Sequence, residues 1–208
     1  MLTLIHLDAA LIAADKPAGL LAVPGRGPAN ADCLSARLQA EHADALIVHR
    51  LDMATSGLIL FGRGAAMQRA LSIAFAERRI DKRYIAIVDG LLADDAGEIA
   101  LPLSANWPNR PRQVVDAQRG KPALTRWQVL ERDATRCRTR LALQPVTGRS
   151  HQLRVHLQAI GHPMIGDELY APPDIAAAAP RLLLHASRLR LTHPADGTPL
   201  ELQSPVPF

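Results

Sequence analysis

Aromatic side chains are scarce in this chain: three Phe, two Tyr and two Trp in 208 residues. Few rings are therefore available to stack on a planar ligand, and any ring beside a chemical motif gains weight. Cysteine is nearly absent. Cys33 and Cys137 stand alone and neither belongs to a CxxC pair, which argues against a disulfide framework and a structural zinc site. Long hydrophobic runs are missing, since none approaches the roughly 20 residues of a membrane span. The N-terminal stretch Met1–Asp8 has no basic leader and an early acid, so no signal peptide is expected. The expectation is a compact enzyme of the cytoplasm, not attached to a membrane, with residues 1–208 forming one domain.

Several chemistries are excluded by missing motifs. Gly25-Arg26-Gly27 has Asn30 where a dinucleotide fingerprint needs its third glycine, and no GxxxxGK[ST] loop exists. His151 and His156 are five residues apart, on different faces of a helix, and HExxH is absent. There is no Gly-x-Ser-x-Gly elbow. Asp94 and Asp95 read as a solvated loop rather than a catalytic pair. Neither a metal nor a cofactor is expected.

Lysine is also rare, limited to Lys16, Lys82 and Lys121, so positive charge is carried by arginine. Its distribution is uneven. Residues 104–154 hold 11 Lys/Arg against Asp116, Glu131 and Asp133, whereas the flanking segments each carry a net −2. Genomic composition can favour Arg over Lys, but it does not cluster charge. A concentrated basic region is the footprint of a polyanionic partner, here a nucleic acid.

Strand and helix patterns are intermixed. Ala10–Ala14 and Leu20–Val23 read as strands around the turn Asp15–Gly19, and Ala45–Val48 and Leu58–Phe61 are apolar runs. Lys82–Asp89, Leu124–Leu130, Thr139–Leu143 and Leu200–Leu202 also read as strands. Ala31–Glu41 and Gly64–Arg79 have helical spacing, the second with Met67, Leu71 and Phe75 on one stripe. Ser150–Ile160 reads as a helix capped by Ser150 and stopped by Gly161 and Pro163. Ala176–Ala179 reads as a surface loop.

Between two apolar runs lies His49-Arg50-Leu51-Asp52-Met53-Ala54-Thr55-Ser56-Gly57-Leu58. An acid at a strand-to-loop junction can be held rigidly and still face a cleft, as a catalytic carboxylate must. The same local pattern also fits an Arg–Asp pair closing a surface turn. The rest of the chain decides between them. Asp15–Leu21, Lys82–Ala86, Thr147–Leu157, Gly161–Asp167, Leu184–Ala186 and Thr192–Pro194, with this segment, resemble in order the motifs of the RluA-type pseudouridine synthases. Asn106–Pro111 and Gly120–Ala123 resemble one subgroup of that family, and the early first motif leaves no room for an N-terminal S4-like domain.

The resemblance implies an α+β fold: a mixed, mainly antiparallel sheet with flanking helices, and a cleft between two halves. It implies that Asp52 is the catalytic residue. An ionised carboxylate in a partly desolvated pocket is penalised unless a cation lies close, and the resemblance assigns that cation to Arg154. Tyr84 becomes the ring that packs on the target base and helps move its C5 proton. A stacked uridine must be flipped out, at a few kcal/mol, and the resemblance gives Arg50 the vacated space. His49, Arg149, Arg110 and Arg112 complete the expected RNA contacts, Arg149 through its place before a helix N-terminus. The implied partners are stem-loops of tRNA and of large-subunit ribosomal RNA, met by a monomer with no obligatory protein partner. Two rivals remain: a catalytically silent RNA-binding protein and a hydrolase that releases the base.

Overall fold

Leu11–Ala14 and Leu58–Phe61 are apolar at consecutive rather than alternate positions, the pattern of strands covered on both faces. A computed structural model describes residues 2–208, the side chain of Ala29 excepted. In chain order the elements are β1 (Thr3–Leu7), β2 (Leu11–Lys16), α1 (Leu34–Glu41), β3 (Ala45–Ile47), β4 (Ser56–Arg63), α2 (Gly64–Ala76) and β5 (Asp81–Asp89). There follow β6 (Ala96–Ile99), β7 (Leu103–Ala105), β8 (Gln113–Val115), β9 (Thr125–Asp133) and β10 (Arg138–Pro145). The chain ends with α3 (Gln152–Ala159), α4 (Pro173–Ala177), β11 (Leu184–Thr192) and β12 (Pro199–Gln203). These form two compact units: residues up to Lys82 with His185–Pro207, and Arg83–Leu184 with Phe208.

In the first unit β1, β2 and β4 are antiparallel neighbours, β11 joins β4 in parallel, and β12 returns along β11. Alternation sends Leu11, Ala13, Leu58 and Leu60 to one face, against Leu71 and Ala74 of α2. Ile12, Ala14, Ile59 and Phe61 go to the other, against Leu34 and Leu38 of α1. Both central strands are thereby buried twice over, which explains their unbroken apolar runs.

The second unit is built on antiparallel strands in which β10 pairs with β5 on one side and β9 on the other, with β6 beyond β9. The short hairpin β7–β8 stands apart from it as a separate two-stranded sheet. Val155 of α3 and Tyr170 pack with Leu103 and Ala123 in a small core beneath that hairpin. The architecture is thus α+β and mainly antiparallel, as the family resemblance implied. Among the described residues no helix is long and apolar enough to cross a membrane.

Several boundaries differ from the sequence reading, each for a local reason. Leu20–Val23 is no strand. Leu20 O accepts from the Lys16 ammonium, and Leu21 O and Ala22 O accept from Leu34 N–H and Ser35 N–H, so the stretch makes a single bridge, Leu21 to Cys33, and leads into a helix start. The helix placed at Ala31 accordingly starts at Leu34, after an extended Cys33. The helix from Gly64 ends at Ala76, where Arg78 at φ 59° reverses the chain. Ser150 does not cap α3, because His151 is its N-cap and adopts a left-handed conformation with φ 54°. Ala176 and Ala177 lie in α4 rather than in a loop. Strands β1, β6, β7, β8 and β11 have no counterpart in the sequence reading: the first four are short, and in β11 Arg188 and Arg190 interrupt the apolar positions.

Candidate active site

The site begins with a gap along β4. Strand β2 occupies one edge of β4, from Lys16↔Gly57 to Leu11↔Gly62. The other edge is shared: β3 covers Phe61–Arg63 and β11 covers Ser56 and Gly57. Between them Leu60 N–H donates to Nε2 of His49 at 2.9 Å. The imidazole replaces a strand partner, so the backbone donor is satisfied while the main chain leaves the sheet at Arg50-Leu51-Asp52. Leu51 is buried, Asp52 half-buried and Arg50 exposed.

Backbone hydrogen bonds then fix the Asp52 loop. Thr55 N–H donates to Asp52 O at 3.1 Å, and Met53 O accepts from Gly19 N–H at 2.9 Å. Met53 O also accepts from Lys16 Nζ at 3.0 Å. Lys16 is fully buried, and its ammonium donates further to Pro17 O at 2.9 Å and Leu20 O at 2.7 Å. A buried ammonium is tolerated when its donors are filled. Here it ties the Asp15–Leu21 turn to the residue beside Asp52. Gly57 completes the seat: its φ is +110°, and a Cβ there would lie 2.3 Å from Ala186 O. Next to it Ser56 Oγ and His185 Nδ1 are hydrogen-bonded at 2.8 Å, and His185 Nε2 and Ser204 Oγ at 3.0 Å, all buried.

His49 is turned inward. Its ring stacks on Phe75 with centroids 4.3 Å apart. Burial, with Lys82 nearby, pushes its pKa from 6.5 down to about 3. The neutral ring accepts at Nε2 and therefore carries its proton on Nδ1. The sequence grouped His49 with RNA contacts; in the fold its Nε2 is taken by Leu60 N–H and its ring by Phe75. The unfolded chain binds a proton at His49 near pH 6.5 and the folded chain only near pH 3. The stability His49 contributes is therefore present above that window and lost as pH falls through it, by at most about 1.4 kcal/mol per pH unit. His49→Gln retains an acceptor without titrating. Denaturant unfolding from about pH 7 down to about pH 4 should show a shallower loss of stability in the variant. Equal slopes would mean that the ring is not held neutral.

In the second unit Tyr84 is half-buried on β5, opposite Leu143 of β10. Arg154 is not the outward-facing helix residue that its place away from Leu153 and Leu157 allowed; it is 3% exposed. Its Nε donates to Asp167 Oδ2 at 2.8 Å and its Nη2 to Oδ1 at 2.6 Å. Asp167 is fully buried and also accepts from Leu169 N–H at 3.0 Å and Tyr170 N–H at 3.1 Å. The guanidinium carbon lies 5.0 Å from the Tyr170 ring centroid. Two of the five guanidinium donors are thereby fixed, which sets the plane in which the remaining three point.

The segment before Arg154 is locked as firmly. Gln152 Oε1 accepts from Thr147 Oγ1 at 2.6 Å and Arg149 N–H at 3.0 Å, while Nε2 donates to Leu124 O and Thr125 Oγ1, both at 3.0 Å. His156 lies 2.9 Å from Thr125 Oγ1 through Nδ1 and 3.0 Å from Leu101 O through Nε2, which must carry the proton to meet a carbonyl. Burial lowers the pKa of His156. Among the described residues no group of His, Cys, Asp or Glu is arranged to hold a metal ion.

The basic stretch resolves into separate parts. Arg126, Arg132 and Arg136 pair with Glu98, Asp95 and Asp133, and Arg154 is buried with Asp167. Arg149 is exposed three residues before α3, and its Nε donates to Pro122 O at 3.2 Å. Arg110 and Arg112 are exposed in the β7–β8 loop. Sequence reasoning passed over Lys16, Asp167, Gln152 and Tyr170 as site-builders. Lys16 left one signal, as one of three lysines in an arginine-rich chain, just ahead of Pro17 and Gly19.

The family model for RNA pseudouridylate synthase matches residues 10–159. The chain is 49% identical over 204 residues to the dual-specificity RNA pseudouridine synthase RluA of Yersinia pestis, covering 98% of each. It is 46% identical over 207 residues to the protein of that name from Escherichia coli K12, covering 100% of this chain and 94% of the other. Among solved structures it is similar to human RNA pseudouridylate synthase domain containing 1, with a TM-score of 0.83 at 28% identity, over 100% of this chain and 84% of that one. Human RNA pseudouridylate synthase domain containing 4 gives 0.77 at 26% identity, over 99% and 88%. The chain belongs to the RNA pseudouridylate synthase family, in its RluA branch, and is an RNA-modifying isomerase.

Proposed function

We propose that the enzyme isomerises uridine in structured RNA hairpins, taking both the tRNA anticodon stem-loop (uridine 32) and a large-subunit ribosomal RNA hairpin (uridine 746) as substrates. The RluA relatives are named dual-specificity enzymes, which supports a pair of targets. Asp52 is the essential carboxylate, and Tyr84 and Arg154 act on the same uridine. Arg50 fills the space that the flipped base vacates, while Arg149, Arg110 and Arg112 meet the RNA backbone. Residues 1–208 act as one catalytic domain, a monomer of the cytoplasm with no obligatory protein partner and no cofactor.

The reaction breaks the bond from C1′ to N1, turns the detached uracil and joins C5 to C1′; the C5 proton leaves and N1 gains one. Nothing is oxidised or reduced. A carboxylate can serve by attacking C1′ or by acting as a base at the ribose, and Asp52 suits either role. The tyrosine hydroxyl offers a route for the C5 proton. The observation that carries this reading is the clamp on Met53 O by Gly19 and Lys16, which holds the acid's loop rigidly through its main chain.

Loop uridines cost less to flip than helical ones, and a hairpin presents them on a compact surface. An isolated anticodon stem-loop carrying tritium at uridine C5 is therefore expected to release one tritium per target to water, with no metal, nucleotide or ribosomal protein added. The RNA mass should be otherwise unchanged. Release of free uracil would identify a base-excising hydrolase, and binding with neither change a silent binder. Modification confined to assembled ribosomal particles would overturn the substrate assignment.

A further inference from the structure

Trp107 is 70% exposed, the most exposed large apolar side chain among the described residues. It is not on a slack loop. Trp107–Asn109 forms a 3-10 turn, with Asn109 N–H donating to Asn106 O at 3.0 Å. Arg112 N–H donates to Asn109 O at 3.0 Å and Asn106 N–H to Arg112 O at 2.9 Å, and Pro108 and Pro111 restrict φ within the turn. The root of the hairpin is equally fixed. Leu103 is buried, Ser104 Oγ donates to Asp116 at 3.0 Å, and Gln113 N–H donates to the Tyr170 hydroxyl at 2.8 Å. The guanidinium carbon of Arg110 lies 3.3 Å from the centre of the indole ring.

Holding an indole in water is unfavourable, and a protein with two tryptophans presents one of them on a stiff support. Its surroundings indicate the ligand. Residues 103–121 carry Arg110, Arg112, Arg119 and Lys121 against Asp116 alone. A flat apolar ring backed by a cation within a basic segment is the chemistry that binds single-stranded nucleic acid, where bases stack and phosphates meet arginine.

We propose that Trp107 is a stacking platform for an unpaired nucleobase of the RNA substrate, with Arg110 backing the indole and Arg110 and Arg112 supplying charge for the adjoining phosphates. This rests on structured RNA being the substrate and adds to it a base-contacting side chain outside the catalytic residues. Stacking and charge respond differently to salt. Arg110→Ala with Arg112→Ala should flatten the dependence of log affinity on log salt, by about 0.7 for each single-strand phosphate that is no longer neutralised. Trp107→Ala should instead weaken affinity roughly tenfold at every salt concentration and leave that slope unchanged.

The test is titration of the anticodon stem-loop and the ribosomal hairpin into wild type, Trp107→Ala, Trp107→Phe and the double arginine variant, each at several salt concentrations. Indole fluorescence should be quenched on binding in wild type but not through residue 107 in Trp107→Phe, which should recover most of the affinity. Unchanged binding by Trp107→Ala would overturn the proposal. So would a loss that follows the arginine variant's salt slope, which would make Trp107 a prop for Arg110. If sedimentation showed wild type self-associating and Trp107→Ala monomeric, with equal RNA affinity, the surface would join two copies of the chain. Tritium release is measured on the same RNAs. A stem-loop that wild type binds and modifies, with Trp107→Ala no weaker, removes only the platform. One that wild type neither binds nor modifies removes the substrate assignment and the platform together.

Discussion

Replacing Asp52 by asparagine is expected to cut isomerisation by a hundredfold or more while leaving the fold and RNA affinity close to wild type. The size follows from the role: nucleophilic or general-base assistance contributes about 10²–10⁴-fold, and an amide supplies neither. Selectivity follows from how the loop is held. Thr55 N–H bonds to the main-chain oxygen of residue 52, and Lys16 and Gly19 bond to that of Met53. None of these bonds involves the carboxylate, so asparagine inherits all of them. The variant should melt within a few degrees of wild type and bind the stem-loop with the same salt slope. Single-turnover tritium release makes the comparison most directly. Turnover within tenfold of wild type would remove Asp52 from the chemistry.

What the sequence revealed and concealed follows from the range of the interactions involved. Strands β2 and β4 were legible because burial on both faces leaves an unbroken apolar run, and α2 because Met67, Leu71 and Phe75 recur at helical spacing. Asp52 was legible as an acid between apolar runs, and the ordered motifs gave it a role. Long-range side-chain bonds were not legible. Nothing near His49 announces that its ring will serve as a strand partner for Leu60, eleven residues away. Leu20–Val23 has strand composition, yet its carbonyls are used by the Lys16 side chain and the start of α1. In the basic stretch the fold sets Arg126, Arg132 and Arg136 each beside an acid, pairings that composition does not reveal. Arg154 shows both sides: its motif marked it, but its partner Asp167 lies 13 residues on, past the end of its helix.

That pair provides the second large effect, in which stability and catalysis can be separated. Arg154→Met leaves Asp167 fully buried with two backbone donors and no cation. Removing one partner of a buried ion pair costs about 3–5 kcal/mol, because the other charge stays desolvated. For a chain of this length that lowers the melting temperature by roughly 10 °C. Asp167→Asn should cost a similar amount from the opposite side, stranding the guanidinium. The double variant Arg154→Met with Asp167→Asn removes both charges, keeps a carbonyl oxygen for Leu169 N–H and Tyr170 N–H, and should regain most of the lost stability. Its activity is the deciding measurement. If Arg154 serves the reacting uridine and Asp167 orients it, the restored fold remains inactive, with tritium release as low as in Arg154→Met. If activity returns with the melting temperature, the pair only holds α3 in place and Arg154 has no part in the chemistry.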